Sequence, residues 1–132
     1  MAKSELYEKG LALRTQLMGE DYVARMNDNA YSRPEMQKLR DGAAETVFGA
    51  LGTRPGLDLK TRSLICVVTD AAGGRDPELE LHVRMALRQG WTEEELTEVL
   101  LHMSGYVGVP LIREAMLTAS KVFEQVRAEK AD

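Results

Sequence analysis

Apolar residues recur at three- and four-residue spacing through almost every segment of this 132-residue chain, and strict alternation over five or more residues hardly occurs. The first pattern lines one face of an α-helix and the second one face of a strand, so periodicity alone selects an all-α fold. The prolines and glycines fall between the periodic runs, where they separate helices rather than break them. The length suits one domain, residues 1–132, built as a bundle of six or seven helices. A core of this size is only moderately deep, which makes oligomerisation an expected source of further burial.

Local signals place the helices. Ser4 is positioned to cap a first helix whose face reads Leu6, Tyr7, Gly10, Leu11, Leu17 and Met18 before Gly19 interrupts it. A short second helix is expected over about 20–27. Ser32, Arg33 and Pro34 open a third, with Met36, Leu39, Ala43, Val47 and Leu51 as its stripe, closed by the loop GTRPG. Asp58 then caps a run in which Leu64, Ile65, Cys66, Val67, Val68, Ala71 and Ala72 leave little room for a polar face, so that helix is expected to be central and buried. Gly73 and Gly74 end it, Asp76 is the expected N-cap of the next helix with Pro77 in its first position, and Gly90 stops that one. Thr92 and Glu95 form a capping box, with Leu96 placed to close a hydrophobic staple on Trp91, for a sixth helix to about Ser104. Pro110 opens the last, with Ile112, Ala115, Met116, Ala119, Val122, Phe123 and Val126 in register, and fraying is expected from about Ala128 to Asp132.

Charge and composition exclude several classes. A formal net charge of −4 with interspersed signs supplies no basic stripe, so nucleic acid is not an expected partner. No apolar run reaches the roughly eighteen residues of a membrane span, and no apolar h-region follows the N-terminus, which points to a cytoplasmic protein without a membrane partner. Cys66 is the single cysteine; no intrachain disulfide, CxxC pair or cysteine-based zinc site can be built from one thiol, and it reads as a small buried hydrophobe. The scattered methionines read as core or interface filler, and Glu93, Glu94, Glu95 and Glu98 as a solvated first turn favoured by the helix dipole.

The residues that can carry chemistry are few. His82 lies among apolar neighbours in ELELHVRMALRQG, with Glu78 one helical turn before it. Such a pair fits an orienting acid and a proton shuttle, and it equally fits a core histidine satisfied by a carbonyl. Arg54 and Arg62 flank RPGLDLKTR; a small carboxylate ligand would suit both, as would an exposed Arg54 and an Arg62 paired to an internal acid. His102 and Tyr106 lie four apart near a helix end, where they can line a pocket or serve the helix terminus and a wet-ended core. No HExxH or HxH spacing is present, and no metal is expected.

Taken together, RPGLDLKTRSL, ELELHVRMALRQGWTEEEL and LLHMSGYVGVP, in that order, resemble the carboxymuconolactone decarboxylase family, over about Tyr7 to Phe123. The resemblance implies an alkylhydroperoxidase D-like helical fold, a hexamer assembled from dimers, and a cofactor-free enzyme of aromatic catabolism that converts 4-carboxymuconolactone to an enol-lactone. It implies roles for Glu78 and His82 as catalytic residues, and for Arg54, Arg62 and Tyr106 as substrate-binding residues. The thiol branch of the superfamily has a CxxC pair ahead of the histidine; Arg75 and Glu78 stand in those places, which disfavours peroxidase chemistry. Gly52 stands where the family pattern has an aromatic, which would enlarge or reshape a pocket wall, and Val107 where many members carry cysteine. A non-catalytic ligand-binding or scaffold protein of the same fold is the competing reading, and a thiol-dependent redox partner a third.

Overall fold

A computed structural model describes residues 3–131, and two compact units divide the chain between Asp58 and Leu59. Among the described residues there are seven α-helices, one π-helical segment and no strand, in agreement with the all-α expectation. No helix among them is long and apolar enough to cross a membrane.

The N-terminal unit holds α1 (Glu5–Met18), α2 (Glu20–Asp28), α3 (Pro34–Ala43) and a π-helical segment (Ala44–Leu51) that continues α3. Ser4 caps α1 as its position suggests, its Oγ accepting from the Tyr7 amide at 3.1 Å. Gly19, at φ 92°, lets the chain turn directly from α1 into α2. The π-helical segment closes with the Gly52 amide donating to the Val47 carbonyl five residues back, at 2.8 Å. It packs on α1 with almost nothing between the two backbones: a Cβ on Gly10 would lie 1.7 Å from the Ala44 carbonyl oxygen, and one on Gly49 would lie 2.2 Å from that of Leu6.

This segment corrects two expectations. The part of the stripe drawn through Val47 and Leu51 is exposed, as is Leu39 of α3 ahead of it, and Ala44 and Gly49 are buried instead. A π turn holds more residues than an α turn, so positions beyond Ala43 rotate away from the α-helical register. Gly52 does not open a pocket wall either, because a side chain there would meet Leu13 Cδ2 and the Phe48 carbonyl, each at 2.6 Å. On α1 the buried face is Gly10, Leu13, Arg14 and Leu17, while Leu6 is exposed.

The C-terminal unit holds α4 (Leu59–Gly73), α5 (Asp76–Arg88), α6 (Glu93–Val107) and α7 (Val109–Ala131). Its core is continuous: Val67 and Ala71 of α4, Leu79, Val83 and Ala86 of α5, Leu96, Leu100 and Met103 of α6, and Ile112, Ala115, Ala119, Val122 and Phe123 of α7. Burying a side chain of the size of Leu96 or Phe123 is worth about 1.5–3 kcal/mol, which is why these spacings fix the helix faces. The Thr92–Glu95 capping box forms in both directions at 3.0 Å, Leu96 is fully buried, and Trp91 packs against the same core. Trp91 Nε1 and Ser63 Oγ both donate to the Lys60 carbonyl, at 2.7 Å each, tying the start of α4 to the α5–α6 turn.

Three further features differ from expectation. Arg75, not Asp76, is the N-cap of α5, with Asp76 and Pro77 inside the first turn. α4 buries one face only, since Ile65 and Ala72 are exposed. α7 is helical to Ala131, so the expected fraying is not seen there, and Asp132 lies outside the described residues.

Candidate active site

The C-terminal unit brings Asp70 of α4 together with His82 of α5. Asp70 lies in the last turn of α4, and Gly74 at φ 67° with Arg75 reverses the chain into α5, whose second turn carries His82. The turn is held by the Arg75 amide donating to the Asp70 carbonyl at 3.0 Å. Across this hairpin, His82 Nδ1 is hydrogen-bonded to Asp70 Oδ2. The aspartate side chain is 6% exposed and the imidazole 20%. A carboxylate accepts only, so it fixes the proton on Nδ1 and leaves Nε2 as the nitrogen that can exchange one with another molecule. Nε2 makes no hydrogen bond among the described residues.

Glu78, the acid expected from spacing, is exposed in the first turn of α5 and is not the partner of His82. Positions 78 and 82 are neighbours along one helix, but His82 turns toward α4, where Asp70 meets it from across the hairpin. Spacing within a helix does not report a partner on the next one. The available signal was Asp70 itself, a carboxylate in the otherwise apolar run LICVVTDAA.

Cys66 precedes Asp70 by one turn on the same face of α4, and Arg62 precedes Cys66 by another. Arg62 is half-buried, and Arg54 is exposed in the turn that follows the π-helical segment. Burial, and then the negative charge of Asp70, push the Cys66 thiol above its ordinary value, which keeps it protonated. Such a thiol is a poor nucleophile. His102 and Tyr106 meet on α6 as expected, with ring centroids 5.2 Å apart and planes tilted by 50°. Both are exposed, Tyr106 by 79%, and no hydrogen bond, ion pair or ring contact among the described residues joins them to His82. Nor does any group of three His, Cys, Asp or Glu side chains among those residues take an arrangement that could hold a metal ion.

The model of the carboxymuconolactone decarboxylase family matches residues 34–121 of this sequence. The chain belongs to that family. It is 35% identical to a 4-carboxymuconolactone decarboxylase of Acinetobacter baylyi over 126 residues, covering 96% of this chain and 92% of the relative. A nitrosuccinic acid decarboxylase of Metarhizium robertsii is 33% identical over 123 residues, covering 92% of this chain and 83% of the relative. An uncharacterised 15.0 kDa protein of Paracoccus denitrificans is 35% identical over 83 residues, covering 61% and 62% respectively. Within the carboxymuconolactone decarboxylase family match lie His82, Asp70, Cys66, Arg62, His102 and Tyr106, so every residue of the hairpin site falls inside the shared region.

Proposed function

We propose that this chain is a cytoplasmic, cofactor-independent carboxy-lyase that decarboxylates a small carboxylated lactone such as 4-carboxymuconolactone, with His82 as proton donor. Two relatives named decarboxylases, aligned over most of the chain, support the reaction class. The observation that carries the role of His82 is its Nδ1 bond to the buried Asp70 carboxylate, which leaves Nε2 free to deliver a proton.

The chemistry suits these groups. When the bond from the ring carbon to the departing carboxylate breaks, carbon dioxide leaves and the electron pair spreads through the conjugated lactone carbonyl as a dienolate. The imidazolium then gives its Nε2 proton to carbon, which quenches the dienolate charge and leaves a neutral imidazole, while the second carboxylate stays ionised on the product. Asp70 holds the ring in position and faces the positive charge that the imidazolium carries, without taking the proton itself. Arg62, two turns before Asp70 on the same helix, is the proposed cation for the carboxylate that stays, a task its planar fork fits. On the family resemblance alone, Glu78 is proposed as a catalytic residue and Arg54 and Tyr106 as substrate-binding residues; His102 is proposed beside Tyr106 on its spacing.

The exposed Leu101, Val109 and Leu117 support assembly into a homo-oligomer, proposed as a hexamer assembled from dimers.

The test is turnover of freshly generated 4-carboxymuconolactone, followed by ultraviolet absorbance and carbon dioxide release. His82→Gln should abolish turnover with the helical signal unchanged. Asp70→Asn should lower kcat by about 10²- to 10⁴-fold, the range of a lost acid–base contribution, with little change in KM. Normal turnover by a folded His82→Gln variant would sink the proton-donor role; a wild-type protein that binds the lactone without releasing carbon dioxide would favour a binding protein.

A further inference from the structure

The N-terminal unit contains a buried cation with no counter-ion among the described residues. Arg14 lies on the inward face of α1 beside Leu13 and Leu17, and only 6% of the residue is exposed. Its Nη1 is enclosed and donates to nothing. The Tyr31 ring covers the guanidinium, 5.1 Å from Cζ to the ring centroid. Among the groups that act electrostatically on it, the one charged at neutral pH is a second cation, Arg40. Burial, and secondarily Arg40, lower the Arg14 pKa, while Tyr31 and Tyr22 act in the opposite sense.

No acid among the described residues pairs with it. Asp41, the obvious candidate, already takes Arg40 at 3.1 Å, Lys3 at 3.4 Å and the Tyr7 hydroxyl at 3.3 Å. Arg40 spends another donor on Asn27 Oδ1 at 3.3 Å. A buried charge without a partner is costly, and a guanidinium cannot shed its proton to escape that cost. The planar fork, flanked by an aromatic face, matches a carboxylate in size, charge and geometry.

We propose that Arg14 anchors a binding site for a small free carboxylate, with Tyr31 stacked over its guanidinium. With only 6% of Arg14 exposed, a small anion reaches the guanidinium more readily than a side chain presented by another protein surface. The site belongs to residues 3–58 and does not depend on the decarboxylase reading.

Succinate is the probe, titrated calorimetrically into the full-length protein, with sodium chloride at matched ionic strength as control. Wild type should bind it saturably at about millimolar Kd or tighter. Arg14→Gln, which removes an unpaired buried charge, should stay folded and weaken binding at least tenfold. Arg14→Lys keeps the charge, loses the fork, and should bind about tenfold more weakly than wild type; it decides the matter if the Gln variant does not fold. Absence of saturable binding by wild type, equal effects of chloride, or unaltered affinity in Arg14→Lys would each overturn the proposal. If wild type ignores succinate while Arg14→Gln changes the assembly seen by light scattering, the missing counter-ion is an acid of a second copy.

Discussion

At the residue scale, Asp70 serves two side chains with opposite consequences. It holds His82 Nδ1 and, one turn along α4, its charge adds to burial in keeping Cys66 protonated. Alkylation of Cys66 by iodoacetamide should therefore be slow at neutral pH, because only the thiolate reacts. Asp70→Asn should speed it by removing that charge; an unchanged rate would mean that burial alone suppresses the thiol. A second residue-scale test concerns Asp41. Partial burial pushes its carboxyl up, but the hydrogen bond and charge of Arg40, with Lys3, outweigh this and hold it below its ordinary value of 3.8. A group depressed in the folded state adds stability above its unfolded pKa and loses it as pH falls through the folded one. Urea midpoints of the wild type should fall on acidification below that value, and those of Asp41→Asn should fall less. At this scale the sequence showed His82, since an imidazole amid apolar neighbours is conspicuous. Asp70 and Arg14 were equally conspicuous as charges on apolar faces, but their environments depend on neighbouring helices that spacing does not identify.

At the element scale, the contrast is between features set by local chemistry and features set by a single extra residue. The capping box at Thr92 and the cap at Ser4 were legible because a side chain satisfies an amide three residues away, whatever the rest of the fold does. The π-helical segment was not, because one residue added to a turn leaves no compositional mark. It reverses which side of 44–51 is buried and thereby invalidates the stripe through Val47 and Leu51. Its packing on α1 predicts a sharp asymmetry between glycines. Gly10→Ala should destabilise the protein by about 2 kcal/mol or more, since the obstructing atom is a backbone oxygen that cannot swing aside. Gly42→Ala, on α3 with open space where its Cβ would stand, should stabilise by about 0.5–1 kcal/mol. Chemical denaturation of the two variants checks both, and equal effects would refute the close backbone approach.

At the scale of the whole molecule, the continuous apolar core lies entirely in residues 59–132. The N-terminal unit buries Leu13, Leu17 and Ala44, and otherwise relies on backbone contact through glycine. Nothing in the sequence announced this division, as no linker or change of composition accompanies Asp58, and helical periodicity is equally clear on both sides. Unequal burial implies unequal opening free energies. Amide hydrogen exchange should be faster throughout α1, α2 and α3 than in the central turns of α4 through α7; uniform protection would contradict the division. Sizing with light scattering at micromolar concentration tests the proposed assembly, and a monomer would count against it. The placement of the core also orders events in time. Asp70 and His82 belong to helices knitted into the dense half of the chain, so deuterium should enter this molecule by two clocks, and the acid–base pair keeps the slower one.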